Sequence, residues 1–92
     1  MTINIEQDVQ NILEQMNAIL SDNSVPRNIK SSIENARHQL QNKEQEISLG
    51  ITNAIYALDD ISNDINMPSH TRTEIWSLIS DLERLNEATK QK

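Results

Sequence analysis

Ninety-two residues make one small domain, carrying 14 Asp and Glu against 8 Lys and Arg for a net charge of −6, with no Cys, no Phe, one Gly, one Trp and one Tyr. A chain of this size buries only a little over roughly 60% of its unfolded surface, so an enzyme cleft is hard to carve from it. The charge disfavours nucleic acid and anionic lipid, and the missing thiols remove disulfides, cysteine nucleophiles and cysteine-containing zinc sites together.

From Ile5 the apolar residues fall at Val9, Ile12, Leu13, Met16, Ile19 and Leu20, the three-and-four spacing of one face of an amphipathic helix. The run stops in Ser21-Asp22-Asn23-Ser24, whose side chains bond their own backbone and offer a cap to the next helix, while Pro26 fits a first helical turn. A second helix then places Ile29, Ile33, Ala36 and Leu40 on one stripe and ends around Gln41 to Gln45. The third helix carries Ile47, Ile51, Ala54, Ile55, Leu58 and Ile61. Gly50 lies near its start, where it costs about 1 kcal/mol relative to Ala and reads first as a tolerated frayed turn, second as a close approach of a neighbouring helix. After Ser62-Asn63-Asp64-Ile65-Asn66 and Met67-Pro68, a fourth helix presents Ile75, Leu78, Ile79, Leu82 and Leu85, and the polar tail from Asn86 is expected to fray. Every loop is short, which predicts antiparallel neighbours.

An offset of 42 residues lays the first half on the second: Ile19 on Ile61, Asp22 on Asp64, Pro26 on Pro68, Ile33 on Ile75 and Leu40 on Leu82. Val25 with Met67 and Lys30 with Arg72 agree more softly. Matching apolar and turn positions at one offset imply one helix hairpin used twice, with a HEAT-like period. The expected fold is therefore all-α: one helical domain over 1–92, an antiparallel four-helix bundle built from a hairpin at about 3–42 and another at about 46–88. Two units are too few for an open solenoid, so the halves must close on each other or on a second copy.

Asp59, Asp60, Asn63, Asp64 and Asn66 crowd one turn but lack the alternation, central Gly and terminal Glu of a calcium loop, so they read as turn and capping residues. His38 and His70 stand apart and read as solvated surface. A single Gly cannot build a nucleophile elbow or a phosphate loop. No catalytic residue, no cofactor, no metal ligand and no small-molecule substrate is expected. The N-terminal residues show neither a basic start nor an apolar run long enough for a signal peptide or membrane span, which points to a cytoplasmic protein with no membrane partner.

Two surfaces remain as candidates. At 100° per residue, Leu49 and Tyr56 lie together opposite the core stripe of the third helix, where the first helix has Gln7 and Glu14, and Trp76 lies at the margin of the fourth stripe. Apolar and aromatic side chains outside the main stripe are the composition of interface anchors, although burial between the hairpins accounts for them equally well. The other candidate is a basic edge of Arg27, Lys30 and Arg37 on the second helix, which Glu34 partly neutralises and which no exposed aromatic accompanies.

Asn63-Asp64-Ile65-Asn66-Met67-Pro68, then Arg72-Thr73-Glu74-Ile75-Trp76 and Ser80-Asp81-Leu82-Glu83, with Ser24-Val25-Pro26-Arg27-Asn28-Ile29 upstream, resemble the small archaeal uncharacterised protein family 0147. The resemblance spans nearly the whole chain. It implies a compact bundle of four helices and an archaeal source, and it implies no activity. The resulting expectation is a non-catalytic protein-interaction or structural module that binds a protein partner or forms a homodimer through Leu49, Tyr56 and Trp76. The alternative is an RNA- or ribosome-associated accessory that touches backbone through Arg27, Lys30 and Arg37.

Overall fold

The computed structural model describes residues 4–90, so the extreme ends of the expected domain, residues 1–3 and 91–92, lie outside the described residues. Four helices account for the architecture: α1 (Ile5–Leu20), α2 (Arg27–Gln41), α3 (Ile47–Ile61) and α4 (Ser69–Lys90). The fold is an all-α four-helix bundle. Each helix packs on the next, and α1 closes the ring against α4. Asn4 caps α1 by accepting the Gln7 N–H at 3.1 Å, satisfying one of the donors that a helix start leaves without an intrahelical partner.

The apolar stripes converge on one core of Ile, Leu, Val, Met and Ala, with Met16, Ile29, Ile33, Ile51, Leu58, Ile75, Leu78 and Leu82 fully enclosed. Val25 and Met67, one in the turn of each hairpin, are buried as plugs at the same end of that core. Three details depart from the expectation. Ile47, at the first position of α3, is 38% exposed, because a residue at a helix start has no preceding turn to cover it. The tail does not fray at Asn86: α4 runs to Lys90, Asn86, Ala88 and Thr89 are half-buried, and the Thr89 hydroxyl donates to the Asn86 carbonyl at 2.7 Å. Pro26 and Pro68 stand just before α2 and α4 rather than inside them, and their carbonyls accept the first helical N–H groups, Lys30 at 3.1 Å and Arg72 at 3.0 Å.

The polar turns are alike in their bonding. Asp22 Oδ1 accepts the Ser24 N–H at 2.9 Å, and Asp64 Oδ1 accepts the Asn66 N–H at 2.8 Å. These carboxylates hold the turns themselves and do not cap the helices after them. Their second oxygens cross to the other hairpin, where His70 Nε2 donates to Asp22 Oδ2 at 2.9 Å and Asn28 Nδ2 donates to Asp64 Oδ2 at 3.0 Å. His70 and Asn28 are themselves 42 residues apart, so the two cross-links exchange equivalent positions. Reciprocal contact of this kind is what a two-fold relation produces. In a stack of HEAT-like repeats α1 would lie on α3 and α2 on α4, and among the described residues neither pair brings its backbones within 8 Å.

The two seams between the hairpins are nonetheless unequal. α2 and α3 lie against each other far more extensively than α1 and α4 do. Gly50 explains the difference. A Cβ at that position would stand 2.5 Å from the Gln39 carbonyl oxygen, so the only glycine is where the α2 backbone reaches α3. The frayed-turn reading of Gly50 is thus replaced by close helix approach. The equivalent position in α1 is Asp8, whose side chain cannot be omitted, and the α1–α4 seam is correspondingly looser.

Thr71 is 1% exposed, at the position equivalent to the fully buried Ile29, and its hydroxyl has no hydrogen-bond partner among the described residues. An enclosed hydroxyl without a partner keeps its desolvation cost. Gly50→Ala is expected to lower stability by about 1–3 kcal/mol despite the better helix propensity of Ala, because a backbone oxygen cannot swing aside. Thr71→Val is expected to raise it by about 1 kcal/mol. Urea denaturation of the two variants checks both signs.

Candidate functional site

The outer face of α3 is built by spacing. Leu49 and Tyr56 are two turns apart on one line, while Gly50, Asn53 and Ala57 turn toward α2, and Ile51, Ile55 and Leu58 supply the core and the flank facing α4. α3 is therefore packed on two sides and still apolar on a third. Leu49 is 50% exposed and Tyr56 68%, so neither belongs to the core between the hairpins. Trp76, on the outward side of α4, is 57% exposed. Ile65, in the turn between α3 and α4, is 91% exposed and is not among the residues that the helical periodicity singles out. Its signal lies in the offset, since the equivalent turn position in the first hairpin is the polar Asn23.

Between α2 and α3, beside Tyr56, runs an open groove of about 640 Å³ lined by Asn35, Gln39, Asn53, Ala57, Asp59 and Asp60. One wall is fixed by amides. Gln45 Nε2 donates to the Gln39 carbonyl at 3.1 Å and to Gln39 Oε1 at 2.9 Å, and Asn53 Nδ2 donates to the same Oε1 at 3.1 Å.

The basic edge is dispersed. Arg37 is half-buried, donates from Nη1 to Asn17 Oδ1 of α1 at 2.9 Å, and lies 3.7 Å from Glu34. Its guanidinium ties α2 to α1 and leaves Arg27, exposed, and Lys30, half-buried, as the remainder of that edge. Arg72, the counterpart of Lys30, is likewise occupied with the Ser62 and Asp64 carbonyls at the end of α3.

His70 is not simply solvated surface, as its place in the sequence suggested. It reaches across to Asp22, and Ser24 Oγ donates to the other oxygen of the same carboxylate at 2.6 Å. Asp22, His70 and Ser24 share a corner without forming a proton relay, because Ser24 Oγ lies 3.5 Å from the same Nε2 that serves Asp22. A relay needs the two ring nitrogens on opposite partners. Among the described residues no three His, Asp or Glu side chains converge as metal ligands, and Asp64 is committed to its turn and to Asn28. No helix among them is long and apolar enough to cross a membrane.

Comparison with known proteins places this geometry in a family. Residues 1–85 match the family model described as "Uncharacterised protein family (UPF0147)". The chain belongs to that family. It is 41% identical over 80 residues to a UPF0147 protein of Methanocaldococcus jannaschii, an alignment that covers 87% of this chain and 86% of that one. A UPF0147 protein of Pyrococcus furiosus is 42% identical over 83 residues, covering 89% of each. These relatives are archaeal. A solved crystal structure of a protein of unknown function, MMP1188, shares 43% identity and a TM-score of 0.86, covering 90% of this chain and 94% of that one. The family's description names no activity.

The Ser24 hydroxyl first, then His70 and the Ser24 N–H, hold the Asp22 carboxyl far below its ordinary value of 3.8. A depressed carboxylate contributes stability that is complete above its unfolded pKa and lost as pH falls through that value toward the folded one. Asp22→Asn keeps an oxygen for the turn, removes the charge and replaces the oxygen facing His70 with an amide NH2. The advantage of the wild type over this variant is expected to be the same at about pH 7 and pH 5 with respect to the carboxylate, and to shrink below about pH 4. Denaturation midpoints measured across that range, with the His70→Gln variant alongside to separate the contribution of the imidazole contact, check the sign.

Proposed function

We propose that the protein is a non-catalytic interaction module of the cytoplasm that engages a protein partner, or a second copy of itself, through Leu49, Tyr56 and Trp76. The observation that carries this reading is the third face of α3. A helix already packed on two sides has no folding need for a Leu and a Tyr at 50% and 68% exposure, and the corresponding positions of α1 are Gln7 and Glu14. Large aromatic side chains with an aliphatic neighbour, standing free of the core, supply contact area at low entropy cost and serve as anchors in protein interfaces. The alternative reading, contact with an RNA backbone through α2, loses support because Arg37 is engaged within the bundle and the net charge is −6.

Replacing Leu49 and Tyr56 together with Glu tests the proposal. Both side chains are exposed, so helicity and melting temperature are expected to stay near those of the wild type, while self-association in sedimentation or capture of a partner is lost. Indole emission from Trp76 is expected to move to shorter wavelength when the partner, or more of the chain itself, is added. A folded, monomeric double variant that captures every partner of the wild type removes this surface from consideration.

A further inference from the structure

The groove beside Tyr56 has a chemical bias that the apolar anchors do not. Asp59 and Asp60 stand exposed on its α3 side, one turn beyond Tyr56, and the ion pairs among the described residues join Arg37 to Glu34, Arg84 to Asp81 and His70 to Asp22. Among those residues neither Asp59 nor Asp60 has a cationic partner, and neither carboxylate accepts a hydrogen bond. The opposite wall, on α2, offers Asn35 and Gln39, and Asn53 stands on the α3 side; all three are neutral. α2 carries Arg27, Lys30 and Arg37 on its other flank, facing α1 and solvent, so no Lys or Arg among the described residues lines this groove. Acceptors therefore outnumber donors around an exposed aromatic face.

That arrangement selects its occupant by charge. A guanidinium is planar, carries five N–H donors, pairs with carboxylates in a fork and stacks on an aromatic ring. Tyr56 supplies the ring, and Asp59 and Asp60 supply the acceptors. The groove is shallow and open to solvent, which suits an extended segment rather than an enclosed small molecule. We propose that the groove between α2 and α3 docks a basic segment of a partner protein, seating an arginine on Tyr56 against Asp59 and Asp60. This inference rests on the interaction surface described above and gives that surface a partner chemistry: the arginine confers specificity in the groove, and Leu49, two turns from Tyr56 on the same line of α3, adds apolar contact. The field of a −6 molecule steers such a segment in and turns away a nucleic-acid backbone.

The test is an NMR titration of the isotopically labelled full-length chain with three nonapeptides identical except at three positions, which are Arg, Lys or Glu, and with oligouridylate. The Arg peptide is expected to shift the side-chain amides of Asn35, Gln39 and Asn53 and the Tyr56 ring, to bind several-fold tighter than the Lys peptide, and to leave the Glu peptide and the oligonucleotide without effect. Asp59→Asn with Asp60→Asn is expected to weaken it about tenfold. Tyr56→Ala is expected to weaken it several-fold while Tyr56→Phe retains it, since the ring face and not the hydroxyl is used. A control pair, Glu83→Gln with Glu87→Gln on the exposed side of α4, removes the same charge elsewhere and is expected to change affinity less than about twofold. Shifts spread evenly over the acidic surface, equal losses in the control pair, or preference for oligouridylate overturn the proposal. If partner capture depends on Leu49 and Tyr56 but survives Asp59→Asn with Asp60→Asn, the basic occupant is wrong and the surface stands. If capture survives both sets of changes, the surface itself is wrong.

Discussion

The contact of the α2 backbone with Gly50 sets the spacing on which the rest of the bundle depends. Helices approach closely only where no side chain intervenes, and with a single glycine the chain has one place for this. Once α2 is seated there, Asn53 and Gln45 reach Gln39, and the α2–α3 seam becomes both the tightest packing between the hairpins and the amide wall of the open groove. The same closeness turns the remaining faces of α3 toward α4 and toward solvent. What lies on the solvent face is therefore a consequence of a backbone contact on the opposite flank.

At the turn end, polar chemistry does what apolar packing does elsewhere. Each turn aspartate uses one oxygen to fold its own loop and the other to hold the opposite hairpin, so local and long-range order are fixed by the same carboxylate. Val25 and Met67 close the core beneath them. An exposed hydrogen bond of this kind contributes little energy by itself, but its placement selects which hairpin faces which, and so favours closure over open stacking.

The departures from two-fold equivalence are where the two hairpins differ in purpose. Gly50 against Asp8, Leu49 against Gln7, Tyr56 against Glu14 and Ile65 against Asn23 all put the apolar or smaller residue in the second hairpin. Gly50 is accounted for by packing. The other three are exposed, so core burial does not account for them.

Helix number, the core stripes and the kinship of the two turns were legible in the sequence, because side-chain periodicity and turn chemistry act over a few residues and the 42-residue offset compares one half with the other. The exposure of Leu49 and Tyr56 was not. The sequence placed them opposite the core stripe, and either a second helix or water satisfies that position; only the packing of α2 and α4 on the other flanks decides for water. Gly50 likewise became a contact rather than a weak turn once Gln39 was opposite it, and Arg37 ceased to be a free charge once Asn17 was within reach. His70 needed the offset read twice, first to pair the turns and then to exchange partners across them. Local chemistry is written along the chain, whereas the partner of a side chain on another helix is set by how closely those helices meet, and that distance exists only in the folded molecule.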